Sequence, residues 1–170
     1  MHEITLRPWR AEDAAALAAL CDAADRRFLS DRLPSPYTAA DAEFWLRRVQ
    51  EMEGRDGLFR AIVQNGAVVG MVSAEQKQDV YRKDAELGYL LYPTCAGRGI
   101  MSEAVRQFCS LAFAQLDIVR LTGLVYAQNA ASRRVLEKNG FAQEGLLRSA
   151  VCKNGALQDL AVYGKLRPDA

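Results

Sequence analysis

The sequence has few of the residues on which metal centres and histidine-dependent catalysis rely. Its 170 residues include one histidine, His2, and four cysteines that form no CxxC pair. Zinc-ligand spacing is therefore absent, no metal site is expected, and the scattered cysteines fit a reducing cytoplasm. The lack of a second histidine also disfavours Ser-His-Asp chemistry. Any general base must then be a carboxylate, water or an unusual group.

Neither a charge excess nor a long hydrophobic segment is present. The 22 basic residues nearly balance the 21 acidic ones, so no uniform field draws the chain to nucleic acid or an anionic membrane. The alanine-rich run at 14–21 is short and bracketed by acidic residues, which favours an amphipathic helix over a membrane segment. A chain of this length and hydrophobicity is expected to form one domain, residues 1–170, that binds a small or peptide-sized ligand.

Hydrophobic periodicity predicts strands and helices in alternation along most of the chain. The predicted strands are 3–7, 59–64, 67–74, 84–92, 119–126, 141–149 and 157–166. The predicted helices are 11–25, a helix capped by Thr38 that ends near Gly54, 99–115 and 129–139. Asn65-Gly66 predicts a type I′ hairpin turn, because both central residues of that turn need positive φ. This order predicts an α/β (α+β) fold with a mixed sheet and helices on its faces.

Two glycines lie where the strand at 84–92 passes into the helix at 99–115. Residues 96–102 are Ala-Gly-Arg-Gly-Ile-Met-Ser. Glycine permits close backbone approach, so successive N–H groups at a helix N-terminus can converge on phosphate oxygens, and Arg98 can add a charge-assisted contact. A tight turn before a helix has the same pattern, so the glycines alone do not decide. No P-loop lysine follows, which disfavours nucleoside triphosphate chemistry.

A second polar cap begins at residue 129. Asn129 suits a helix N-cap, Ser132 lies in the first turn, and Gly140 suits a left-handed terminator. Capping alone accounts for all three residue types. The segment becomes informative only in combination with the glycine turn and with residues 86–89.

Three segments are informative in combination: ELGY at 86–89, GRGIMSEA at 97–104 and NAASRRVLEKNGF at 129–141. Together they resemble the GNAT superfamily of acyl-CoA-dependent N-acetyltransferases. The branch that it resembles most contains the RimJ/RimL-type ribosomal-protein N-terminal acetyltransferases. The resemblance extends over nearly the whole chain through LRPW at 6–9, EG at 144–145 and DLAVYGKLR at 159–167.

The resemblance implies a mostly antiparallel sheet of about seven strands that splays between strands 4 and 5, with helices on both faces. Acetyl-CoA would place its pantetheine arm in the gap and its pyrophosphate on the glycine turn. The implied cofactor-binding residues are Leu90, Leu91, Tyr92, Gly97, Arg98, Gly99, Ile100, Met101, Ser102, Asn129 and Ser132. Dimers through a sheet edge or a helix face are common in the superfamily, so a homodimer is also considered.

The implied reaction is direct attack of a primary amine on acetyl-CoA in a ternary complex. The acceptor is either a protein N-terminus, as the branch suggests, or a small amine such as an amino acid, a polyamine or an aminoglycoside. Acceptor specificity is expected in the first two helices and the hairpin. The residues expected to line the acceptor site are Arg26, Arg27, Asp31, Tyr37 and Trp45.

Two residues are the implied catalytic groups. Glu86 lies near the position where many relatives carry a glutamate that deprotonates the amine through water, although a solvent-facing strand-end glutamate explains it equally well. Ser132 corresponds to the serine that the RimL branch places near the thiol sulfur, where it can donate to the leaving thiolate. Glu75 and Asp159 are alternative bases.

Three positions depart from the family pattern. Leu136 replaces a tyrosine acid, Val151 falls near the glutamate that the branch pairs with its serine, and Ala96 replaces a polar residue. These departures motivate a further alternative, a non-catalytic acyl-CoA-binding module. Arg133 and Arg134 are expected on a solvated helix face, from which one of them can reach the cofactor's 3′-phosphate.

Overall fold

The computed structural model describes residues 3–170, so His2 lies outside the described residues. Within these residues, seven strands form one sheet, and four α-helices cover parts of both of its faces. The strands are β1 (Thr5–Pro8), β2 (Gly57–Gln64), β3 (Ala67–Gln76), β4 (Asp84–Leu91), β5 (Arg120–Tyr126), β6 (Ala142–Lys153) and β7 (Ala156–Leu166). The helices are α1 (Ala14–Asp22), α2 (Ala39–Met52), α3 (Ile100–Gln115) and α4 (Ala130–Lys138). Within 3–170, no helix is long and apolar enough to cross a membrane.

The predicted splay between the fourth and fifth strands is confirmed by the register. The strand order is β1-β2-β3-β4-β5-β7-β6, and every neighbouring pair is antiparallel except β4 and β5. The parallel pairing runs from Asp84 opposite Arg120 to Leu87 opposite Gly123. Because β4 continues to Leu91 and β5 to Tyr126, the ends of these two strands are unpaired with each other and flank a gap.

Two apolar cores lie on opposite faces of the sheet. One packs α3 and α4 against it and includes Phe108, Leu121, Leu136 and Tyr163, while the other packs α1 and α2 against it. Side chains alternate between the faces along a strand. Thus Leu87 and Tyr89 of β4 join the α3/α4 core, whereas Leu90 contacts the α1/α2 core.

Trp9 and Trp45 pack against each other in the α1/α2 core. Their rings pack edge to face with centroids 5.8 Å apart, and Trp45 makes a similar contact with Phe59 at 6.0 Å. Such contacts fix the start of the sheet against α2.

The first helix is shorter than predicted. Residues 11–13 form a short 3₁₀ helix, and α1 begins only at Ala14. The Asp13 carboxylate turns back to accept hydrogen bonds from the Arg10 N–H, at 2.8 Å, and from the Arg7 guanidinium, at 2.7 and 2.8 Å. These local bonds compete with the α-helical path at its N-terminus.

The last hairpin also differs from the prediction. β6 does not end at residue 149 but continues to Lys153, after a register shift that includes Ser149 at φ 53°. Its turn is Asn154-Gly155, with φ of 51° and 77°, nearly the values of 50° and 78° at Asn65-Gly66. The two turns thus share one dipeptide and the positive φ that a type I′ turn requires.

Candidate active site

The turn between β4 and α3 is built as an open backbone cradle. Gly97 and Gly99 have φ of 76° and 77°, and a Cβ added to either would meet no atom within 4 Å. The left-handed conformation therefore requires glycine, while the space above both residues stays free. Within 3–170, the N–H groups of residues 97–102 donate to no backbone oxygen. These free donors at the N-terminus of a 16-residue helix can bind an anion.

The cradle is held in place from below by buried contacts. Ile100 and Met101 are 1% and 8% exposed and anchor the first turn of α3 in the core. The Asn139 side-chain amide donates to the Ser102 carbonyl at 3.1 Å and to the Val135 carbonyl at 2.8 Å. Asn139 thereby ties the end of α4 to the first turn of α3.

Ser132 and Tyr89 form a contact across the gap. The Asn129 side chain caps α4 by accepting from the Ser132 N–H at 3.2 Å, as the capping pattern predicts. The Ser132 hydroxyl lies 2.7 Å from the Tyr89 hydroxyl, which is also 3.2 Å from the Ser132 carbonyl. Burial raises the pKa of Tyr89 to about 12, although the hydrogen bond to Ser132 opposes that rise. The phenol is therefore protonated at neutral pH and available as a donor.

Glu86 lies on the opposite side of β4 from Tyr89. It is exposed and precedes Leu87, the last residue of β4 that pairs with β5. On the other edge of β4, Glu86 is directly opposite Glu75 of β3. Two of the three candidate bases are thus cross-strand neighbours on one face of the sheet, where like charges are held close together.

Asp159 has a structural role. One of its carboxylate oxygens accepts a hydrogen bond from the Ser149 N–H at 2.8 Å. It therefore stabilises the irregular part of β6, where Ser149 has a positive φ.

A cavity of about 440 Å³ lies between α1, α2, the irregular segment at 29–37 and strands β3 and β4. Met71 and Leu90 are its contacts with the sheet, and Tyr37 and Trp45 are two of its aromatic residues. Both aromatic residues are among those predicted to line the acceptor site. The other three predicted lining residues, Arg26, Arg27 and Asp31, instead border an adjoining depression with Lys153 and Asn154.

The comparison with known proteins decides the family. Residues 3–142 match the family model described as "Acetyltransferase (GNAT) domain". The chain belongs to the GNAT acetyltransferase family. It is therefore an acetyl-CoA-dependent N-acetyltransferase of the GNAT type, as its sequence predicts.

This GNAT chain is 30% identical to the putative ribosomal N-acetyltransferase YdaF of Bacillus subtilis (strain 168), over 98% of the chain and 92% of that protein. It is 37% identical to the probable N-acetyltransferase YjcK of the same organism, over 75% of the chain and 69% of that protein. The structure of ribosomal-protein-S5-alanine acetyltransferase from Vibrio fischeri has the same fold, with a TM-score of 0.88 and 22% identity, covering 99% of this chain and 96% of that one.

Further evidence for the GNAT fold comes from a solved RimL ribosomal L7/L12 alpha-N-protein acetyltransferase in complex with coenzyme A. It superimposes with a TM-score of 0.86 at 23% identity and covers 96% of this chain and 93% of that one. The predicted fold class is confirmed by these likenesses.

Leu136 and Arg133 of this GNAT chain both have packing roles. Leu136 is fully buried and lies over Gly123, where an added Cβ would be 2.8 Å from the Leu136 Cδ1 atom. Arg133 is half-buried, and its guanidinium donates to the Tyr163 hydroxyl at 3.0 Å and to the Ala127 carbonyl at 3.3 Å. Arg134 is exposed.

Sequence reasoning missed the contact between Tyr89 and Ser132. Two-residue alternation within ELGY places the Tyr89 side chain on the same face as that of Leu87. The contact with Ser132, 43 residues away, depends on how α4 packs against the end of β4. No local pattern reports that packing.

Proposed function

We propose that this GNAT enzyme acetylates the α-amine of a protein N-terminus. The observation that carries the proposal is the cavity of about 440 Å³, which reaches β4 at Leu90, within the part of the strand that borders the gap. A peptide end inserted there would bring its amine toward the acyl group. The naming of YdaF as a putative ribosomal N-acetyltransferase supports the same acceptor. So does 28% identity over 62% of the chain to a ribosomal-protein-serine acetyltransferase of Escherichia coli.

Acetyl-CoA would bind with its pyrophosphate on the free N–H groups of residues 97–102 and with Arg98 beside it. The residues that would accompany its pantetheine arm are Leu90, Leu91, Tyr92, Asn129 and Ser132. Since the Tyr92 N–H donates to Val69 of β3, strand alternation turns the backbone groups of Leu91 toward the gap. This favours Leu91 over Leu90 as the donor that polarises the thioester carbonyl.

The chemistry requires an acid and a base on opposite sides of the gap. The amine nitrogen bonds to the acyl carbon and loses a proton through water to Glu86, whose neighbour Glu75 can share that role. The carbon–sulfur bond then breaks, the Ser132 hydroxyl donates its proton to the thiolate, and water returns a proton to Ser132. When Tyr89 is the donor in the contact between the two hydroxyls, the serine proton is free for the sulfur. Tyr89 is therefore a positioning residue.

Thiol release measured on a panel of peptides and small amines tests the proposal. We expect turnover with peptides, and a loss of about 100-fold in kcat on Glu86→Gln or Ser132→Ala, the range of general acid–base catalysis. Glu51→Gln, an exposed glutamate on α2, is the matched control and should not change kcat.

Three outcomes would contradict the proposal in different ways. Turnover only with polyamines or aminoglycosides would replace the acceptor. Acetyl-CoA binding without thiol release on any amine would favour the non-catalytic module. Absence of acetyl-CoA binding in isothermal titration would remove the cofactor assignment itself.

A further inference from the structure

The acceptor cavity has a chemistry that discriminates among peptide ends. Resting on the proposed function, we infer that the preferred acceptor is a peptide whose first residue has an apolar side chain and whose next few residues include an acidic one. The apolar side chain occupies the cavity, and the acidic residue lies at its rim.

The apolar preference follows from the walls of the cavity. Five of its apolar lining residues are buried or half-buried, namely Leu17, Tyr37, Trp45, Met71 and Leu90. A polar first side chain placed among these groups would lose water without gaining partners of equal strength. A volume of about 440 Å³ is within the range of ligand pockets and accommodates a large aliphatic or aromatic side chain.

The acidic preference follows from the charges at the rim. Arg32 and Arg48 border the cavity, and neither takes part in the ion pairs between the described residues. Among the described residues that line the cavity, Asp41 is the only one with a carboxylate. It already accepts hydrogen bonds from the Thr38 N–H at 2.8 Å and the Thr38 hydroxyl at 2.7 Å. With two arginines against one carboxylate, the rim keeps a net positive charge.

The adjoining depression extends the same charge. The Arg26 guanidinium donates to the Leu33 and Pro34 carbonyls, which orients it without neutralising it. Lys153, by contrast, is paired with Asp31. Polyamines and aminoglycosides carry several positive charges, so this side of the molecule repels them.

The test compares kcat/KM for three synthetic peptides of one length. The first has leucine at position 1 and glutamate at position 3, the second replaces that leucine with serine, and the third replaces that glutamate with lysine. We expect the first peptide to exceed each of the others by about tenfold, the size of effect that a rim charge or an apolar anchor produces.

Variants of α2 assign the acidic preference to one residue. Arg48→Gln should reduce the glutamate-over-lysine ratio to near one, and Arg48→Glu should invert it. Arg47→Gln is the matched control, because Arg47 is the exposed neighbour in the same helix and does not line the cavity. Raising the ionic strength should shrink the ratio in the wild-type enzyme, since exposed charges are screened.

The outcomes separate the inference from the function on which it rests. Equal turnover of all three peptides, or an Arg47→Gln effect as large as that of Arg48→Gln, would overturn the inference and leave peptide acetylation standing. Free leucine acetylated as efficiently as the first peptide would overturn the peptide acceptor. No thiol release with any peptide, despite bound acetyl-CoA, would overturn the proposed function itself.

Discussion

The proposed cofactor site and the proposed acceptor site differ in the groups that form them, which are backbone N–H groups in the first and side chains in the second. The cradle at 97–102 consists of main-chain N–H groups fixed by two positive-φ glycines and a buried asparagine. The proposed acceptor cavity is formed by side chains of α1, α2, the irregular segment at 29–37 and the sheet. A shared cofactor needs one backbone geometry, whereas an acceptor is selected by side-chain shape and charge. Backbone geometry thus determines the function that is common to the family, whereas side chains determine the function that is particular to one member.

The largest effect is expected from a substitution in the cradle at 97–102. Gly99→Ala places a side chain where the anion must approach and strains a φ of 77°. We expect the Kd for acetyl-CoA, measured by isothermal titration, to rise on the order of 100-fold, which is about 2.7 kcal/mol.

Gly54→Ala separates backbone strain from blocked access. Gly54 has nearly the same φ, 75°, and the same open space, but it lies at the end of α2. This variant should lose stability and keep its Kd. Equal Kd values for both variants would show that the free N–H groups do not bind the cofactor.

The contact between β4 and α4 provides a second test of the cofactor side. Tyr89→Phe should lower kcat about tenfold with little change in KM, because the phenol orients a proton donor and does not contribute to binding. Combining it with Ser132→Ala should add little to the loss from Ser132→Ala alone, since the two groups act as a unit. The control is Tyr81→Phe, at a position 68% exposed. Additive losses would contradict the coupling.

A test of the sheet itself concerns Gly164 on β7, opposite Thr122 of β5. A Cβ at this residue would lie 2.6 Å from the Glu144 carboxylate and 2.7 Å from the Arg120 guanidinium, which are bonded to each other across it. Gly164→Ala should therefore displace the ends of these two flexible side chains and lower the free energy of unfolding by up to about 1 kcal/mol in urea denaturation, the range of a partly exposed ion pair. Gly145→Ala, where nothing lies within 4 Å, should have no such effect. A stable Gly164→Ala protein would show that β7 and β6 adjust.

The smallest expected effect is the pH dependence of the acceptor side, where Asp13 precedes α1. The hydrogen bond from Arg7 holds the pKa of Asp13 below its usual value, although burial opposes this. Because the folded pKa is the lower one, the stabilisation is present above the unfolded pKa of about 4 and is lost as the pH falls through the folded pKa.

Asp13→Asn should accordingly lower the free energy of unfolding by about 1 kcal/mol at pH 7. The difference from wild type should shrink in acid denaturation series below about pH 4. Glu12→Gln, an exposed neighbour, should show neither effect. A difference that does not vary with pH would assign the role of Asp13 to packing.

The sequence predicted what local chemistry determines. Asn65-Gly66 specified its turn because only particular residues tolerate two positive φ values, and Asn129 specified a cap. Asn154-Gly155 carried the same signal, but the register shift near Ser149 obscured the strand before it. Tyr89 and Arg133 could not be assigned, because their partners lie 43 and 30 residues away.

Only part of the proposed acceptor cavity, Tyr37 and Trp45, was predicted from the sequence, for a related reason. The segment at 29–37 has no period from which the direction of its side chains could be inferred. Its course depends on contacts such as those of the Arg26 guanidinium with two carbonyls farther along the chain. The two regions therefore also differ in how much of them a sequence reveals.

The early end of the β4–β5 pairing has a consequence for hydrogen exchange. Backbone groups of Leu91 face a gap instead of a neighbouring strand, so their amide proton should exchange rapidly in the free protein. A bound molecule with amide groups of its own could complete the ladder as an eighth strand would. Slowed exchange at Leu91 upon addition of acetyl-CoA, with Tyr92 already protected by Val69, would then report occupancy of the gap at single-residue resolution.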